Sequence, residues 1–222
     1  MGRRRSQLYT TSTTLLSDPS LIKTMLEYTI NLVGSLSMYE NLLMLAIECL
    51  SIDKRKCLVE RLYKMDNAAV NLDFNEIIDR YHSALEDIEN PSSLTSTIRR
   101  DIYRKHCSFN YKEVSGQLLF LLNEEYTGIR SSYSDIDRRL TEIGQIFSLS
   151  AADLMILKLS YYSFALANSS LNNLFDNLNF NDFTRVASIA TGLSAIEIRK
   201  SLSSSGKLIS SRIIDSIDHT GR

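Results

Sequence analysis

Helix-start signatures recur along most of this chain, and they leave room for little besides helices. Asp18-Pro19 sets a capping residue before a proline at the first helical position. Ser37 with Glu40, Asp73 with Glu76, Ser150 with Asp153 and Ser194 with Glu197 share one spacing. In each, a short oxygen acceptor precedes a carboxylate by three residues, as in a capping box, where two otherwise orphaned N–H groups find partners. Together with glycine and Asn-Pro stops, these starts predict helices from Pro19 to Gly34, Met38–Leu50, Asp53–Met65, Phe74–Glu89 and from Ser92 or Ser93 to Cys107. Further on they predict Tyr111–Tyr126 (opened by Asn110, closed by Gly128), Ser134–Phe147, Ala151–Ala167 and a shorter helix over Leu171–Leu178.

Apolar spacing agrees. Leu118, Leu121 and Leu122 share one helical face with Glu125, and Leu154, Leu157, Tyr161, Phe164 and Ala165 form a stripe. Alternation of period two is nearly absent before Leu208. With only two prolines in 222 residues, little interrupts the helices. The expected fold is all-α: a multi-helix bundle with a C-terminal helix-turn-helix or winged-helix-like subdomain and at most one or two short strands.

The expected division is a disordered basic tail over 1–17, helical subdomains over 18–90 and 91–180, and the helix-turn-helix-like end over 181–222. Charge changes sign at Asn90–Ser93. Asp73–Glu89 holds six acids against Arg80, a net of −5, whereas Arg99, Arg100, Arg104, Lys105 and Lys112 against Asp101 give +4. These are two solvated faces or a pair of docking faces.

Several functions are excluded early. The net charge is −1, so no global field draws the chain to nucleic acid or membrane. The three cysteines (Cys49, Cys57, Cys107) form no C-x-x-C, and His82, His106 and His219 are scattered, which speaks against a disulfide framework or zinc site. Free thiols fit a reducing cytoplasm. The runs Leu42–Ile47 and Leu118–Leu122 are too short for a bilayer, and the first residues lack a signal-peptide core. MGRRRS matches the myristoylation pattern at Gly2, beside Arg3, Arg4 and Arg5, but the segment is read as a basic tail, and no membrane partner is expected.

No catalytic constellation is legible: no H-E-x-x-H, no G-x-S-x-G, no paired Cys and His. Gly206-Lys207 fails as a P-loop. Position 201 is serine where the loop needs glycine, and position 208 is leucine where a hydroxyl must hold magnesium. Catalytic, metal and cofactor-binding residues are therefore expected to be none, and cofactors none.

The segment from Phe183 to Ile217 reads as a helix, a turn at Gly192, a second helix and a β-branched wing. Ser188 keeps a small residue where the helices cross. Leu193, Ile196 and Leu202 are expected to pack inward, or Ile198 in a different register, while Arg199 and Lys200 project outward as contacts for nucleic acid or a protein partner. Arg99, Arg100, Arg104 and Lys105, with Tyr103, form a second candidate contact face. Residues Asp182–Arg222 hold six basic against four acidic residues, a net of +2, which is low for a DNA-binding surface.

Two stretches carry a family resemblance. IGQIFSLSAADLMILKLSYYSFALANSSLNNLFDNL, Ile143–Leu178, resembles the segment upstream of the ATPase module in many bacterial AAA+ proteins. FTRVASIATGLSAIEIRKSLSSSGKLISSRIIDSI, Phe183–Ile217, resembles the next segment of those proteins, with Leu193-Ser194, Glu197, Gly206, Leu208, Ser211 and Ile214 at matching places and Arg212 where a glycine is usual. The resemblance implies a helical, winged-helix-like region preceding an AAA+ module whose P-loop, Walker B strand and arginine finger this chain lacks. It further implies either the N-terminal part of a longer protein or a stand-alone relative without ATPase activity. The expected role is non-catalytic: recognition of a partner or substrate, or self-association. The alternative is a transcriptional regulator reading DNA with Ser194–Leu202.

Overall fold

The computed structural model describes residues 19–36, 40–51, 53–55, 57, 58, 61, 108–130, 134–165, 174, 175 and 178–214. Eight helices are bounded among them: α1 (Pro19–Ser35), α2 (Glu40–Glu48), α3 (Ser108–Gly128), α4 (Asp135–Ile146), α5 (Ala151–Ala165), α6 (Phe180–Thr191), α7 (Ala195–Ser201) and α8 (Lys207–Ser210). No strand occurs among the described residues, and the fold is all-α.

Helix α1 is one organising element. It packs against α2, α3 and α6, so one apolar stripe would not suffice. Accordingly Leu21, Met25, Tyr28 and Leu32 are buried at helical spacing, and Leu26, Thr29 and Val33 are buried beside them. Burial pushes the Tyr28 hydroxyl well above the ordinary tyrosine range. Asn31 Nδ2 donates to the Ala190 carbonyl at 3.0 Å, tying α1 to α6. From α3 come Val114, Leu118, Leu121 and Leu122, all fully buried, on the face that spacing foretold.

Helix α5 is the second. It touches α4, α6, α7 and α8, and its apolar residues are spread round the helix. Of the expected stripe, Leu157 is buried, Tyr161 packs partly buried against the core and Leu154 is partly covered, while the side chains of Phe164 and Ala165 lie outside the description; Ile156, Leu159 and Tyr162 are buried as well. A helix with neighbours on most sides needs apolar residues on most sides.

Several boundaries also move. Gly34 does not stop α1, which runs through Ser35. Helix α3 begins at Ser108, ahead of the expected Asn110 cap. The Ser51 carbonyl already accepts from Arg55 N–H at 2.9 Å, so helical bonding starts before Asp53. Ser37, the segments 62–107 and 166–173, and the expected boundary at Asn90–Ser93 lie outside the described residues.

Cys49 and Cys57 are free thiols. Cys49 lies 3.3 Å from the Thr29 hydroxyl. Burial pushes its thiol up to about 12, outweighing the hydrogen bond it shares with Thr29, which leaves it unreactive near neutral pH.

Where the wing was expected to begin, Lys207–Ser210 form the helical turn α8, and residues 215–222 lie outside the described residues. Leu208 is fully buried. Ile213 N–H donates to Leu208 O at 3.0 Å and Arg212 N–H to Ile209 O at 2.9 Å, the paired bonds of a Schellman stop. Those bonds need the C′ residue in the left-handed region, and Arg212 has φ 55°. The left-handed region costs a non-glycine residue about 1–2 kcal/mol, while glycine loses more chain entropy on folding. Arg212→Gly is expected to stabilise the protein by about 0.5–1 kcal/mol, read as a higher melting temperature. A lower melting temperature would show that the Arg212 side chain contributes more than its backbone strain removes.

Candidate interaction surface

Helix α6 opens on Asn179, whose side chain accepts from Asp182 N–H, and closes on Gly192 at φ 75°. Gly192 N–H donates to Ser188 O at 2.9 Å. The role of Ser188 goes beyond being small: its hydroxyl donates to the Leu193 carbonyl at 2.5 Å, fixing the turn from inside. Ser194 and Glu197 then form a complete capping box, with Ser194 N–H and hydroxyl donating to Glu197 Oε2 at 2.8 and 2.7 Å. These bonds hold the Glu197 carboxyl below the usual carboxylate range.

Helix α7 lasts seven residues. Ile198, Ser201 and Leu202, at i, i+3 and i+4, are buried against α5 and α6. The inward assignment of Ile196 is thereby overturned. Two positions from Ile198 lies roughly the opposite side of a helix, and Ile196 is 79% exposed. Arg199 and Lys200 project outward as expected, but Arg199 Nη2 reaches back to Asn181 Oδ1 at 3.1 Å. The second predicted face, Arg99, Arg100, Arg104 and Lys105, lies outside the described residues.

Two other helix starts reach beyond their own caps, which sequence reading missed. Ser150 and Asp153 form the expected box, with Ser150 N–H to Asp153 Oδ2 at 2.9 Å. Asp153 also takes a hydrogen bond from Ser201, so the start of α5 is fastened to the end of α7. Burial raises its carboxyl, but the bonds from Ser201 and Ser150 outweigh this and hold it below the usual range. Asp137, one turn after the Ser134 cap, accepts from the Ser134 and Ser20 hydroxyls and pairs with Lys158. One buried carboxylate thus joins the starts of α1 and α4 to the middle of α5. The only sequence signal was the S-x-x-D spacing, which says nothing about partners from other helices.

A cavity of about 460 Å³ lies beside Asp137, lined by Ser20, Lys23, Glu27, Tyr126 and Lys158 among others. Its size suits a small ligand. Lys23 lies 4.8 Å from the centre of the Tyr126 ring and donates to the Ile129 carbonyl at 3.3 Å. Asp137 accepts from Ser20 and Ser134 on Oδ2 and pairs with Lys158 through Oδ1, contacts that hold its carboxyl below the usual range and disfavour a general base. Among the described residues no three His, Cys, Asp or Glu side chains gather as a metal site would require, and no helix is long and apolar enough to cross a membrane.

A second groove of about 580 Å³ runs between the turn into α5 and the α7–α8 segment. Ser148, Leu149 and Ala152 line one wall, and Glu197, Lys200 and Lys207 the other. Lys207 Nζ donates to the Ser148 carbonyl across it. No family model, curated protein or solved structure matches this chain, so the AAA+ resemblance rests on the residues of Ile143–Leu178 and Phe183–Ile217 alone.

Proposed function

We propose that this chain is a non-catalytic recognition or assembly region, of the kind that precedes the ATPase module in AAA+ proteins, and that it meets a protein partner or another copy of itself through the outward side of α7. The observation that carries this reading is Ile196, 79% exposed at the start of the helix. A helix-turn-helix protein reads base edges with the first residues of its second helix. Here those residues are Ala195, Ile196 and Glu197. Ile196 offers only apolar surface, and Glu197 would face phosphate with a carboxylate held ionised by its cap. Of the two outward cations, Arg199 is engaged by Asn181. An exposed aliphatic residue beside cations suits a protein contact better than a phosphate backbone.

Two solution measurements test this. The purified chain should neither bind nor hydrolyse ATP. It should bind a pool of random duplexes no tighter than roughly 10⁻⁴–10⁻⁶ M at physiological salt, the range of non-specific association. ATP turnover, or enrichment of a duplex bound at nanomolar concentration and weakened by Arg199→Ala with Lys200→Ala, would overturn the reading.

A further inference from the structure

The geometry points to the cavity of about 460 Å³ beside Asp137 as the binding site of a small zwitterion of the amino-acid class with an apolar side chain. This site goes beyond the α7 reading and is independent of it. Charge is the first argument. Of the charged side chains on the cavity walls, Asp137 and Lys158 pair with one another and cancel. Lys23 and Glu27 remain, one helical turn apart on α1, and neither enters an ion pair among the described residues. Uncharged groups hold Lys23 instead. Its ammonium donates to the Ile129 carbonyl at 3.3 Å and lies 4.8 Å from the centre of the Tyr126 ring. These contacts fix its position without neutralising it and leave N–H groups for a ligand. Glu27 is exposed and offers its carboxylate on the same wall. A ligand with a single charge would meet one partner here and one like charge a turn away. A ligand with a carboxylate for Lys23 and an ammonium for Glu27 meets a partner for each.

The apolar lining is the second argument. Helix α1 supplies the unpaired charges, whereas Leu140 of α4 and Leu154 and Met155 of α5 supply aliphatic surface. Leu154 and Met155 are half-buried, so a side chain laid on them removes further apolar area from water. The unbranched thioether of Met155 can adapt to its shape. A lining divided in this way fits a molecule that carries both charges at one end and an apolar chain at the other. The site is also built before any ligand arrives. Asp137 accepts from Ser20 and pairs with Lys158, which fastens α1, α4 and α5 around the cavity and leaves little ordering for a ligand to impose.

The test is calorimetric titration of the full chain with L-leucine and with L-methionine. Two analogues of leucine each keep one charge: isocaproate lacks the ammonium, and isoamylamine lacks the carboxylate. Saturable binding of at least one amino acid is expected, with both single-charge analogues weaker by about tenfold or more, the loss of one hydrogen bond to a charged group. Lys23→Met and Glu27→Gln should each weaken the amino acid by a similar factor, while Lys200→Met, on α7, should leave it unchanged. Glu27 is exposed and unpaired, so the circular dichroism melt of Glu27→Gln should match the parent, which separates lost binding from lost folding. Failure of both amino acids to bind overturns the inference. So does an analogue that binds as tightly as leucine, or a Glu27→Gln protein that binds like the parent. None of these results touches the α7 reading, which the ATP and duplex measurements decide.

Discussion

Asp137→Ala is expected to lower stability by about 3 kcal/mol, the lower end of the cost of breaking a buried ion pair from one side. The lower end applies because Lys158 retains 30% of its side-chain exposure and can turn its ammonium toward water, whereas the Asp137 side chain is only 8% exposed. Removing the carboxylate also takes away the bond that the Ser20 hydroxyl donates at the start of α1 and loosens the junction of three helices. Lys158→Met should cost a similar amount, because it leaves a buried carboxylate without its cation. The double replacement Asp137→Leu with Lys158→Met should cost clearly less than the sum, since neither charge is then stranded. Urea unfolding of the four proteins reads all three values. A loss below about 0.5 kcal/mol for Asp137→Ala, the level of an ordinary surface substitution, would show that the junction is not held this way.

The same residue sets a pH dependence. Burial raises the Asp137 carboxyl, but the hydrogen bonds from Lys158 and Ser20, the Lys158 charge and the bond from Ser134 outweigh it and hold it below the usual carboxylate range. Unfolded aspartates titrate near about pH 3.9. The folded protein therefore binds that proton less readily than the unfolded chain. The resulting stability is fully present above the unfolded value and is lost as pH falls below about 4 toward the lower folded value. In Asp137→Asn this part of the acid limb should flatten, while the limb due to other carboxylates remains.

Gly206→Ala is expected to produce a loss of comparable size, about 3 kcal/mol, at the upper end of overpacking costs. A Cβ at this position would lie 2.3 Å from the Ser201 carbonyl oxygen and 2.6 Å from that of Lys200. Both are backbone atoms at the end of α7, so no side chain can swing aside. Relief would require α7 and α8 to separate, exposing Leu208 and Leu202. Gly192→Ala is the informative comparison. Gly192 has φ 75° but nothing within 4 Å of its would-be Cβ, so that change carries only backbone strain, about 1 kcal/mol. Thermal melts should rank Gly206→Ala well below Gly192→Ala. The reverse order would show that α8 is free to move away from α7.

Much of this architecture is written locally. The caps at Ser134 and Ser194, the proline at the start of α1 and the left-handed Gly192 all appear where short-range chemistry put them, whereas the Asn179 cap opens α6 at Phe180, three residues before the expected Phe183. Each depends on atoms within about one helical turn, which is the range a linear reading resolves. The Leu118, Leu121 and Leu122 face was legible for the same reason: α3 lies along α1 and presents a continuous stripe to it.

What failed was whatever depended on the number and direction of neighbours. Among the described residues helix α5 meets four others, so its burial spreads beyond the expected stripe to Ile156, Leu159 and Tyr162. The register of α7 was open between Ile196 and Ile198 because seven residues make too few turns to define a face, and contact with both α5 and α6 decided it. The β-branched run Leu208–Ile214 reads as a strand by composition alone. It forms a helical turn because Leu208 fills the core and Arg212 accepts a left-handed backbone to close the Schellman stop. Gly206 reads as a turn glycine, yet its φ is −65° and ordinary for any residue. Only the approach of two carbonyls from another helix makes glycine necessary there. By itself the sequence determined where α1, α4, α5 and α7 begin and, among the described residues, that strands have little place. Only the tertiary structure decided which faces are buried and what Asp137 and Asp153 hold together, because these depend on atoms brought close by folding rather than by chain order.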